Sequence, residues 1–196
     1  MQAHRFVVDI ERDQLSASVF KAYLIYECDF VETAMLIFAH MLLNTPSLAE
    51  GRWLAAVLQA LATDQIGYFE QILAALGVTQ TKRDRPLPAA VLAFRGHMLA
   101  IARVGDYLDG VAIMLAAEWM YAPWCARATQ SAISDPMLRR WVDLHAELAF
   151  LTEADWLRLQ VDAADPRLEA ALGKRLRRAL EIVIAFRSAP YEGAQP

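Results

Sequence analysis

The chain has 196 residues, 57% of them hydrophobic and 21% charged, with a formal net charge of −4. That length suits one domain with a large core, and the acidic balance excludes a nucleic-acid surface, whose affinity comes mostly from neutralising phosphates. No window offers the ~18 charge-free apolar residues of a membrane span, because Glu118 and Pro123 interrupt the best candidate.

The N-terminal MQAHRFVVDIERD lacks the basic-then-apolar layout of a signal peptide, so a cytoplasmic protein with no membrane partner is expected. Its apolar fraction exceeds the roughly 45–50% usual for soluble domains. That surplus predicts self-association as a homodimer or homotetramer. Cys28 and Cys125 form neither a disulfide framework nor a CxxC pattern.

Helical periodicity dominates from end to end, and no alternating strand is evident. The first long helix is predicted over 14–44, ended by Asn44-Thr45-Pro46-Ser47. Ser47 and Glu50 read as a capping box for a second helix over 47–76, closed by Gly77. After the polar loop TQTKRDRP a helix over 87–104 follows, and Val104-Gly105-Asp106 separates it from one over 106–131. Asp135-Pro136 and Asp165-Pro166 each pair a capping residue with a proline fit for the first turn, opening helices over 135–162 and 166–187. KRLRR at 174–178 reads as a solvated face of the last helix, and the tail 188–196 as irregular. The expected architecture is all-α, one bundle of about six main helices spanning 1–196 as a single domain.

Two carboxylates sit among apolar neighbours. Glu27 lies in a stripe with Phe20, Tyr23, Phe30 and Ala34, either reaching solvent or a buried arginine, or pointing into a pocket between helices. Glu118 interrupts GVAIMLAAEWMYAPWCARA, sharing a face with Leu115, Tyr121, Ala122 and Cys125. Desolvation would raise its pKa and suit it to acid–base work. The four histidines, His4, His40, His97 and His145, lie on separate elements, without the Glu-x-x-His or His-Glu-x-x-His spacing of metal-binding helices. No phosphate-binding glycine loop or GxSxG elbow occurs, and a thiol in apolar surroundings reads as inert core.

Three segments in order resemble the TenA family, the thiaminase II relatives with a haem-oxygenase-like fold. HRFVVDIERDQLSASVFKAYLIYECDFVETAMLIFAH resembles the family's segment from His-Pro-Phe through a tyrosine-rich helix. GHMLAIARVGDYLDGVAIMLAAEWMYAPW resembles the segment ending in its cysteine motif, and WVDLHAELAF the helix after it. By this resemblance Glu27 stands for an aspartate that binds an aminopyrimidine, Phe30 and His145 replace pocket tyrosines, and Tyr121 keeps the tyrosine of the cysteine motif. Leu99 occupies a further tyrosine position, and Ala117 the place of the nucleophilic cysteine. Val183 falls where the family has a C-terminal glutamate, with Glu181 two residues away and close enough to Arg177 and Arg178 for a surface ion pair. The family's opening helix is expected to be missing.

The resemblance implies a cofactor-free hydrolase of an aminopyrimidine or related thiamin-derived heterocycle. Its expected catalytic residues are Glu118, Tyr121 and Glu181. Its expected substrate-binding residues are Glu27, Phe30, Tyr23, Leu99, Ala117 and His145. The alternatives are a PqqC-like or metal-dependent oxidase holding Fe or Mn on a subset of Glu27, Glu118, His97 and His145, and a non-catalytic binder of a small aromatic ligand.

Overall fold

The computed structural model describes residues 3–192. It is all-α, but more finely divided than six helices. In chain order the helices are α1 (Arg5–Glu11), α2 (Ala17–Leu43), α3 (Leu48–Ala60), α4 (Ile66–Ala75), α5 (Gln80–Arg83), α6 (Ala89–Val104), α7 (Tyr107–Glu118), α8 (Tyr121–Ala128), α9 (Pro136–Leu144), α10 (Leu148–Asp162) and α11 (Glu169–Glu192). α5 falls in the stretch expected to be a polar loop, and α1 precedes the first helix that the periodicity predicts. The last helix also outruns its expected end, carrying Ser188 to Glu192 in regular geometry with Pro190 inside it. Proline is tolerated there because only a last-turn hydrogen bond is lost. Residues 193–196 of the expected tail lie outside the described residues.

Local chemistry accounts for most boundaries. Ser16 caps α2 by accepting from the Val19 N–H, and Asp135 caps α9 by accepting from Met137 and Leu138, with Pro136 as its first residue. Gly77, at φ +65°, closes α4 in the left-handed conformation that glycine adopts without penalty. The capping box lies elsewhere than expected: Ser47 accepts from the Ala49 N–H, while the reciprocal pair is Asp106 with Asp109 at the start of α7.

α2 and α7 form the centre. Ten of the 12 residues of α7 are buried, which explains its apolar character all round. It packs between α11, α10 and α2, and Asp109 anchors it to α11 through an ion pair with Arg175. Phe94 of α6 joins Phe30 of α2 to Phe186 of α11, with ring centroids 5.0 and 4.8 Å apart. Trp53 and Trp156 stack at 3.6 Å and 9°, tying α3 to α10. Among the described residues no helix is long and apolar enough to cross a membrane.

Three helices expected to be continuous are interrupted. A π-helical turn at Leu61–Gln65 separates α3 from α4, Trp119 and Met120 separate α7 from α8, and His145 to Glu147 separate α9 from α10. Such irregularities cost regular hydrogen bonding and are frequent at functional sites. All three border the same cavity.

Candidate functional site

The cavity holds about 340 Å³, within the range of small-molecule sites. Its walls are largely apolar: Phe30, Val31 and Ala34 from α2, Leu61 and Phe69 across it, and Leu144, Ala149 and Phe150 from the α9–α10 break. Into it face Glu27, Glu118 and Glu153, the ring of His145, Tyr68 and Tyr121, with the exposed Asp64 and Glu147 at its rim.

Glu27 is 4% exposed and is held by three helices. The Trp141 Nε1–H donates to its Oε2 at 2.6 Å. Its Oε1 lies 3.2 Å from both the Tyr23 and Tyr121 hydroxyls, and those hydroxyls are 2.5 Å apart. Three oxygens in a triangle share two phenolic protons, so only two of the three contacts are hydrogen bonds at any moment. Either both phenols donate to Glu27, or one donates to its neighbour, which donates to Glu27. Burial, then the negative charge of Glu27, pushes the Tyr23 hydroxyl well above its ordinary range. Burial likewise raises Tyr121, and Arg187 offsets that only in part. Both phenols therefore stay protonated as donors. Glu27 retains a free lone pair toward the cavity, because a carboxylate offers about four acceptor positions.

His145 donates from Nδ1 to the Trp141 carbonyl at 2.8 Å, since a carbonyl can only accept. That fixes the ring with Nε2 3.5 Å from Glu27 Oε1. The imidazole stacks on Tyr121 at 4.6 Å and 23°, and Phe150 meets it edge-on at 5.0 Å. The result is a flat aromatic wall next to the Glu27 acceptor.

Behind this wall lies Arg187, fully buried on α11. Its Cζ sits 4.0 Å from the centroid of Tyr121 and 5.8 Å from that of Trp124, and none of its three side-chain nitrogens has a hydrogen-bond partner among the described residues. The guanidinium stays charged: burial opposes the charge, but the net direction of its pKa is upward, and Glu27 is the ionised carboxylate that favours it.

Glu118 is the last residue of α7 and lines the cavity. It stands about 100° from Ala117 on the helix, so Glu118 reaches the cavity while Ala117 stays in the core. Burial, then the charges of Glu153 and Glu27, raises its pKa well above the ordinary carboxylate value. Burial pushes Glu153 up to about 7.

Five of the nine expected site residues, Glu27, Phe30, Glu118, Tyr121 and His145, line this one cavity. Tyr23 sits behind Glu27 as its donor. Ala117 is buried in the core and Leu99 packs at the flank of α6, and neither lines the cavity. Glu181 is exposed on α11, its carboxylate 2.9 Å from Arg178, so the structure assigns it a surface ion pair outside the cavity. Val183 is core. His97 does not line the cavity, so the full set of Glu27, Glu118, His97 and His145 is not assembled. Among the described residues no group of three or more His, Cys, Asp or Glu side chains is placed to hold a metal ion. Both thiols are buried and raised by burial, Cys28 to about 11, and neither borders the cavity.

The sequence reading missed Trp141, Glu153, Tyr68, Phe150 and Arg187. Glu153 sits among polar residues that carry no local sign of burial, and Arg187 fell at a predicted helix end.

The TENA/THI-4/PQQC family profile matches residues 1–190. No curated protein sequence matches the chain. Among solved structures, it is similar to a TenA homologue from P. horikoshii OT3, with 18% identity, a TM-score of 0.89, and coverage of 98% of this chain and 91% of that one. A TenA homologue from Pyrococcus furiosus gives 13% identity and 0.86 over 97% and 92%. A putative TenA-like thiaminase from Sulfolobus solfataricus P2 gives 13% and 0.81 over 96% and 87%. At these identities the structures establish the fold, and the profile establishes the lineage: the chain belongs to the TENA/THI-4/PQQC family.

Proposed function

We propose that the cavity binds a flat, amine-bearing heterocycle of the aminopyrimidine class and hydrolyses a C–N bond in it. The observation that carries this reading is the placement of Glu27 and Glu118 in one cavity of about 340 Å³ beside the Tyr121–His145 stack. Glu27 accepts from the amino and ring N–H edge of the heterocycle. Its two phenols and Trp141 hold the carboxylate in place, so little ordering entropy is lost on binding. Phe30, Phe150 and the Tyr121–His145 pair cover the ring faces.

No thiol faces the cavity, so the nucleophile in this reading is water. Ionised Glu118 takes a proton from water as its oxygen bonds to carbon. The C–N bond then breaks, and that proton leaves with the nitrogen as an amine or ammonia. The wall displaces bulk water and strengthens each of these contacts.

The test is incubation of purified protein with 4-aminopyrimidines carrying a 5-substituent, following release of ammonia or amine. Turnover that Glu118→Gln abolishes and Glu27→Gln weakens mainly through KM supports the reading. Thermal stabilisation by the same compounds without conversion, in wild type and Glu118→Gln alike, makes the protein a binder instead.

A further inference from the structure

We propose that Glu153 is a second catalytic carboxylate, sharing one proton with Glu118 across the cavity, so that one member accepts from water while the other donates to the departing nitrogen. This rests on the hydrolase reading for its catalytic half and on the cavity alone for its proton-sharing half.

The two side chains approach from different helices, Glu118 from the end of α7 and Glu153 from the second turn of α10, and both line the same cavity. Neither has a hydrogen-bond or ion-pair partner among the described residues, although every other acidic group deep in the cavity is tied down: Glu27 has Trp141, Tyr23 and Tyr121. Between and around them the lining is apolar, with Leu144, Ala149 and Phe150 beside α10. Other charged or titratable groups facing this space are Glu27 from α2, Asp64 from the π-helical turn, Tyr68 from α4, His145 and Glu147 from the α9–α10 break, and Tyr121 from α8, with Arg187 of α11 behind the Tyr121 ring. Its permanent charges are predominantly negative.

Two unpaired carboxyls in such a space oppose each other's ionisation, because each charge is partly cut off from solvent and repels the other. Burial raises Glu153 to about 7, and burial with the charges of Glu153 and Glu27 raises Glu118 well above its ordinary value. The proposed pair carries one proton between its two carboxyls, one base and one acid, as hydrolysis needs. In the step, the ionised carboxylate removes a proton from water as the C–O bond forms. The protonated partner gives its proton to nitrogen as the C–N bond breaks. The pair ends with its charge unchanged and the proton on the opposite residue, and exchange with solvent resets it. An added benefit is substrate choice: a monoanionic pair favours ligands whose leaving nitrogen is basic.

The experiment is a carboxyl titration of the full chain labelled with ¹³C at the glutamate side chains, in wild type, Glu118→Gln and Glu153→Gln, with melting temperatures to confirm folding. The expected result is that Glu118 loses its proton at least one pH unit lower in Glu153→Gln than in wild type. An unchanged Glu118 titration overturns the shared proton. For the catalytic half, kcat/KM against pH is measured on a 4-aminopyrimidine that wild type turns over. Glu153→Gln is expected to lower kcat at least 100-fold and abolish one limb of a bell-shaped profile, with KM within threefold, and Glu153→Asp to restore the limb. A Glu153→Gln profile that superimposes on wild type overturns the catalytic role while leaving the hydrolase reading intact. No turnover by wild type on any aminopyrimidine overturns the hydrolase reading and the catalytic role together, and the titration then decides the shared proton alone.

Discussion

The guanidinium of Arg187 lies 4.0 Å from the ring centroid of Tyr121, with no hydrogen-bond acceptor among the described residues. The hydroxyl of the same ring lies 3.2 Å from the Glu27 carboxylate. The phenol is thus a polar spacer between two buried opposite charges. A lone buried charge is costly, and each member here reduces the cost of the other.

A double-mutant cycle tests that coupling. Arg187→Met alone should destabilise the fold by about 2–4 kcal/mol, because Glu27 is left without its counter-charge. Combined with Glu27→Gln, the loss should fall short of additive by about 1 kcal/mol or more. Urea melts of the four proteins measure it, and strict additivity would remove the electrostatic link through Tyr121.

Trp141→Phe should cost about 2–4 kcal/mol. It removes the Nε1–H that holds Glu27 Oε2 at 2.6 Å, a bond to a charged acceptor worth roughly 1.5–3 kcal/mol, and leaves a small void in a fully buried site. Thermal unfolding should show a lower Tm, and ligand affinity should fall with it because Glu27 gains freedom. A variant as stable as wild type would show that the bond contributes nothing.

Stability should change with pH through Glu153. Its folded-state pKa of about 7 lies above the ordinary value of 4.5, so the folded protein binds more protons between those limits. Stability therefore falls as pH rises from about 4.5 to 7, and the deficit is complete above 7. Glu153→Gln should flatten that part of the profile and gain on the order of 1–2 kcal/mol at pH 8, the cavity's contact with solvent reducing the full linkage value. Denaturant midpoints at pH 5 and 8 provide the readout, and parallel profiles would contradict it.

Two glycines should respond in opposite directions. A Cβ at Gly110 of α7 would lie 2.5 Å from Met41 Cγ of α2, so Gly110→Ala should destabilise by about 1–3 kcal/mol despite alanine's better helix propensity. Gly67 on α4 has open space around it, and Gly67→Ala should stabilise by roughly 0.5–1 kcal/mol. Equal shifts in Tm would show that α2 and α7 are not in such close contact.

How far the sequence alone reaches is visible in particular residues. Apolar periodicity, the cap at Asp135 and the stop at Gly77 are local signals, and they placed those helix ends within a few residues. The isolation of Glu27 and Glu118 among apolar neighbours was also local, and both carboxylates line the cavity. Glu181 shows the limit. It was expected to be catalytic, yet its helix turns it outward to Arg178.

What the sequence determined by itself was an all-α chain, its lineage, and two carboxylates set among apolar neighbours. Tertiary structure decided the rest. The irregular steps after Glu118 and Leu144 and the π-helical turn at 61–65 all border one space, where Glu118, His145 and Asp64 meet. Glu153 and Arg187 lie more than a hundred residues after Glu27 in the chain and acquire their character from neighbours on other helices. Burial and proximity of that kind are properties of the packed chain, and no local pattern encodes them.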